Sequence, residues 1–166
     1  MRIAPPEPMQ SHAALMPATI RDRLLADHRR LETLLERLLA AFEANDREDM
    51  AQGWTEFESG LLAHLEAEET YLFPALQRAS ARDASVLIRE HRHIRTRLTE
   101  IGVALDLHTV RLASARDFVD ELRAHSRNED RLLYRWAGDH LDETQRTSLF
   151  EALSTVVRAR PSKVVT

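Results

Sequence analysis

The chain is predicted to be all-α: an up-down-up-down antiparallel four-helix bundle followed by a short fifth helix on its C-terminal side. Three observations predict this. A single proline, Pro74, lies between Ala18 and Arg160, and the whole chain holds four glycines, so little interrupts a helix. Leu, Ala, Glu and Arg, all good helix formers, are abundant. Four long segments repeat apolar residues at helical spacing and are separated by short breaks, as a bundle requires.

The first helix starts near Thr19, a plausible N-cap, and carries Leu24, Leu25, His28, Leu31, Leu35, Leu38 and Phe42 on one stripe. Asn45-Asp46 breaks it. The second places Phe57, Leu61, His64, Glu68, Leu72 and Ala75 together, with Pro74 expected to bend or loosen its last turn. After a weaker break at Ala79-Ser80, the third aligns Ala84, Leu87, Ile88, His91, Ile94, Leu98, Ile101 and Leu105. His108-Thr109 marks the next turn. The fourth aligns Phe118, Leu122, His125, Glu129, Leu132 and Trp136. Beyond Gly138-Asp139, the fifth is expected from Asp142 to about Ala159, ended by Pro161. Residues 1–18 hold four prolines and read as a loosely attached tail, leaving 19–160 as one helical domain.

The net charge of −4 and the interleaving of Arg with Asp and Glu give no field that would draw the chain to nucleic acid. There is no Cys, so thiolate metal sites and disulfides within the chain are excluded. The segment before Ala18 has no apolar run of signal-peptide or membrane length, and the default expectation is a cytoplasmic protein without a membrane partner.

Two segments repeat one pattern. Asp27-His28 is followed, 36 residues after His28, by His64-x-x-x-Glu68; Glu90-His91 is followed, 34 residues after His91, by His125-x-x-x-Glu129. A His and a Glu four apart share one helix face. In an antiparallel hairpin, residues equidistant from the turn stand at one height. The midpoint of 28 and 64 is 46, that of 91 and 125 is 108, and that of the 64/68 pair and 91 falls near 79: each lies on an expected break. Four imidazoles and two carboxylates therefore reach one level of the bundle. A lone His on an apolar stripe is ordinarily a core histidine with a backbone partner. Two carboxylates among four His, with no facing Lys, instead form a donor set for two cations, which offset the desolvation of both acids. Imidazole with carboxylate suits iron, manganese or zinc.

The order of these ligands resembles that of hemerythrin-like proteins carrying the His-His-Glu cation-binding domain, over roughly Ile20 to Ala137. The resemblance rests on Asp27-His28-Arg29, on the stretch from His64 through Glu68 to Pro74, on Glu90-His91 and on His125-Ser-Arg-Asn-Glu129-Asp. It implies that His28, His64, Glu68, His91, His125 and Glu129 bind two iron ions, oxo- or hydroxo-bridged, with Glu68 and Glu129 as bridging carboxylates. Oxygen-carrying hemerythrins have a further His one turn after the helix-three ligand. Arg95 stands there, so the pattern looks more like that of the iron-centre repair and iron-sensing members. The implied activity is binding of O2, NO or peroxide for sensing, scavenging or iron handling. Two alternatives stay open: di-iron enzyme chemistry such as peroxide disproportionation or oxidation, and an interaction bundle holding zinc or nothing.

Glu32, four after His28, is either an extra ligand or a boundary acid paired with a nearby Arg. Glu69 and Asp130 follow the two Glu of the repeats and either orient His ligands or sit on the surface. Tyr71 and Trp136 either line the pocket mouth, or donate a hydrogen bond to a bound ligand, or pack, and packing is the expected role. His93 points to another face, and His12, His108 and His140 are assigned no role.

Overall fold

The structure, a computed structural model, describes residues 19–158, and the expected N-terminal tail and the stop at Pro161 lie outside these residues. Helix α1 spans Ile20–Ala44 and α2 Arg47–Tyr71; α3 (Phe73–Ala79) continues the second bundle helix after a one-residue break. The third is α4, Ala81–Asp106. The fourth is α5 (Leu112–Glu129), a π-turn over Asp130–Tyr134, and α6 (Arg135–His140). The fifth, α7, spans Glu143–Arg158. Among the described residues there is no strand. Helix α1 packs on α2 and α5, and α4 packs on α2 and α5, giving the square section of an antiparallel bundle.

Local chemistry sets the helix ends. Thr19 accepts from the Asp22 amide, and the Asp22 carboxylate accepts from the Thr19 amide at 3.1 Å: a capping box. Asn45 closes α1 in the left-handed region at φ 54°, where its short polar side chain is tolerated, and Asp46 caps α2. His108 takes φ 55° in the turn between α4 and α5. Ser80 caps α4, its side chain accepting from the Asp83 amide, so all three expected breaks are real. Pro74, however, does more than loosen a last turn. Lacking an amide hydrogen, it sits in the first turn of α3, where no donor is needed, so α2 stops before Leu72 and a new helix begins.

The fourth stripe differs from expectation. The π-turn rotates the chain, so Leu133, Tyr134 and Ala137 are buried, while Leu132 and Trp136 are only partly so. Helix α7 lays Leu149 and Leu153 into an apolar cluster with Ile20, Leu24, Leu72, Phe73 and Leu76, packing on α2 and α1. A second cluster toward the other end holds Leu35, Leu38, Trp54, Phe57, Leu65, Ile94, Leu98 and Phe118. No helix among the described residues is long and apolar enough to cross a membrane.

Candidate metal centre

The six sequence-predicted donors lie where the two clusters meet. His28 falls between Leu24 and Leu31, His91 between Leu87 and Ile94, and His64 and Glu68 flank Leu65 and Ala67. His64, Glu68, His91, His125 and Glu129 are buried, and His28 is nearly so, with its side chain 14% exposed. The four ring Nε2 atoms turn inward. His28 and His91 each lie 3.0 Å from a different oxygen of Glu129, and His125 Nε2 lies 2.7 Å from Glu129 Oε1. His91 Nε2 is 3.4 Å from Glu68 Oε2, and His64 Nε2 is 3.5 Å from Glu68 Oε1. The donors fall into two groups that share Glu129: His28, His64, Glu68 and Glu129, and His91, His125 and Glu129.

The outward Nδ1 atoms explain this orientation. His64 Nδ1 donates to Asp27 Oδ2 at 2.8 Å, His91 Nδ1 to Glu69 Oε1 at 2.9 Å and His125 Nδ1 to Glu90 Oε2 at 2.8 Å. Each acid is held in turn: Asp27 by Arg30 (2.7 Å), Glu69 by Arg95 (3.0 Å) and Glu90 by Asn128 (2.7 Å). Gly60 lets the Arg30 guanidinium approach α2, for a Cβ there would meet Arg30 Nη1 at 3.2 Å. His28 is different: a hydroxyl, Ser126 Oγ, stands 2.6 Å from its Nδ1.

The donor set fits cations. His28 Nε2 and His64 Nε2 approach to 3.0 Å, so two lone pairs face one another unless a proton or cation lies between them. Glu68 Oε2 and His125 Nε2 are buried with carboxylate or imidazole neighbours but without a well-aligned hydrogen bond, a deficit that a metal ion satisfies. In the absence of a cation, protons take its place. Burial alone would lower the pKa values of His91 and His125, but hydrogen bonds and charge from Glu129, Glu68 and, for His125, Glu90 outweigh it and raise them to about 9 and about 10. Burial pushes the Glu129 carboxyl up, yet the surrounding imidazoles, His125 foremost, hold it well below its ordinary value.

The remaining sequence candidates separate cleanly. Glu69 orients His91, whereas Asp130 pairs with Arg21 at 2.7 Å and hydrogen-bonds to no imidazole among the described residues. Glu32 is exposed and pairs with Arg123 at 3.0 Å, as the boundary reading expects. Arg95 braces Glu69. His93 is exposed and paired with Glu121, and His140 stacks on Trp136. Tyr71 packs, partly buried, beside the α7 cluster. Sequence reasoning missed Tyr134, whose hydroxyl donates to Glu68 Oε1 at 2.6 Å. Burial first, and then the charges of Glu129 and Glu68, push its pKa well above the ordinary value, so without a cation it keeps its proton. It also missed Asp27 and Glu90 as His partners. A signal was present, since each acid immediately precedes the lone His of its repeat.

Five buried donors and the nearly buried His28 in one layer, with a bracing carboxylate behind three of four imidazoles, define a histidine–carboxylate cation-binding helical bundle. The chain belongs to the hemerythrin family, matching the model of the hemerythrin HHE cation-binding domain over residues 19–137. Searches of curated proteins and of solved structures returned no significant match.

Proposed function

We propose that the layer holds two iron ions bridged by Glu68 and Glu129, and that the protein binds O2, NO or peroxide for sensing, scavenging or iron handling, in the cytoplasm. The observation that carries this reading is a cavity of about 330 Å3 between α1, α2 and α5. Leu31, Leu35, Phe57, Leu61 and Leu122 line it, and it opens on His28, His64 and His125, with Glu32 and Arg123 among its walls. A purely structural ion is enclosed by its ligands, whereas a reactive one keeps an approach for an external molecule. An apolar approach favours small, weakly solvated ligands. A pair of redox-active irons supplies coordination positions and electrons for such molecules. The chain's own part is to hold four imidazoles in one tautomer and to keep bulk water from the layer.

The test is anaerobic loading with ferrous iron, followed by spectra before and after O2, NO and peroxide. Stoichiometric spectral change with each bound ligand supports the reading. Steady consumption of added peroxide moves the protein to the enzymatic alternative. Purified protein that holds stoichiometric zinc and stays colourless after iron loading defeats both.

A further inference from the structure

The Tyr134 ring is fully buried. Its hydroxyl oxygen lies 2.6 Å from Glu68 Oε1, 2.8 Å from His28 Nε2 and 3.2 Å from Glu129 Oε2. A phenol has one proton. Given to Glu68, it leaves the Glu129 contact as oxygen facing oxygen. The three neighbours belong to one group of candidate ligands, and its fourth member, His64 Nε2, is 3.0 Å from His28 Nε2. Metal bonds of roughly 2.0–2.2 Å at right angles place adjacent ligand atoms about 2.8–3.1 Å apart. The Tyr134–His28 distance of 2.8 Å lies within this spacing, and the 2.6 and 3.2 Å contacts to Glu68 and Glu129 lie within 0.2 Å of it.

The backbone is built for this placement. An α-helix turns about 100° per residue, so position 134 would stand about 140° round from Glu129. The π-turn over Asp130–Tyr134 brings both side chains to the same layer.

We propose that Tyr134 is itself a ligand, binding as phenolate the ion held by His28, His64, Glu68 and Glu129. The inference rests on the proposed di-iron reading. The phenolic O–H bond breaks as the oxygen–metal bond forms, the proton leaves to solvent, and no electron is transferred. The two ions become unequal. One would be held by five protein donors, the other by His91, His125 and the shared Glu129.

The test uses the full chain loaded with ferrous iron and oxidised in air. Expected is a visible phenolate-to-iron(III) charge-transfer band, with tyrosine ring modes enhanced when resonance Raman is excited in that band. Of the two tyrosines, Tyr134→Phe abolishes both signals and Tyr71→Phe keeps them. Should Tyr134→Phe fail to fold, ring-deuterated tyrosine in the Tyr71→Phe protein must shift the enhanced modes. Iron bound at two per chain without tyrosine modes overturns the proposal and leaves the di-iron reading standing. No bound iron defeats the di-iron reading and the proposal with it.

Discussion

Asp27 holds His64 through a 2.8 Å hydrogen bond at Nδ1, and Arg30 fixes Asp27 from the other side at 2.7 Å. The same relation recurs 63 positions on, where Glu90 holds His125. In each half of the pseudo-repeat, the acid before the lone His orients the His of the His-x-x-x-Glu pair. An imidazole so braced keeps its Nε2 lone pair aimed at the layer and becomes a stronger donor. Asp27→Asn should weaken metal binding by about 10–100-fold, read by competition with a chelator of known affinity. Unchanged affinity would show that Asp27 is a packing residue.

Ser126→Ala should cost less. The hydroxyl beside His28 Nδ1 is neutral, and His28 is the most exposed of the four imidazoles, so water can replace it. In the same chelator assay the loss should be smaller than for Asp27→Asn. A larger loss would invert the assigned roles.

Protonation gives the metal-free protein a defined pH dependence. His91 and His125 have raised pKa values, about 9 and about 10 against 6.5. Their contribution to stability is full below about pH 6.5 and lost as pH rises through 9 and 10. Glu129, depressed, contributes above its ordinary pKa of 4.5, and that contribution is lost on acidification. Chelated protein should therefore have its highest Tm between about pH 4.5 and 6.5 and lose stability up to pH 10. Metal uptake near pH 7 should release protons, measurable in weakly buffered solution, because ligating imidazoles must be neutral. A Tm that climbs from pH 7 to 10 after chelation would contradict these assignments.

Asn45 offers a control that separates fold from site. At φ 54° it holds a conformation costly to most side chains. Asn45→Ala should destabilise by about 1 kcal/mol in denaturant unfolding, and Asn45→Gly by less. Neither should change metal content, since the turn lies far along the bundle from the ligand layer. A parallel loss of metal would mean that the layer depends on that hairpin's register.

Much of this was legible in the sequence because helical spacing and hairpin symmetry are simple geometric rules. The turns at Asn45-Asp46, Ser80 and His108 fell at the midpoints of ligand pairs, which is why six residues far apart in the chain could be assigned to one level. What stayed hidden depended on departures from regular period. Tyr134 lies off the stripe of Glu129 in any ideal helix, and only the π-turn brings it in. Leu132 and Trp136 were misplaced for the same reason. Asp130 and Glu69 looked equivalent in sequence, yet Arg21 captures one and His91 the other. Partner choice among surface charges follows from three-dimensional placement, which no local pattern carries.

Glu129 is shared by both ligand groups, so the central claim reduces to counting metal. Elemental analysis after anaerobic loading with ferrous iron and removal of unbound metal is the most direct measurement. Two irons per wild-type chain, falling to nearly none in Glu129→Ala with the helical content unchanged, is the predicted result. One iron or none in the wild type, or two retained in Glu129→Ala, would contradict it.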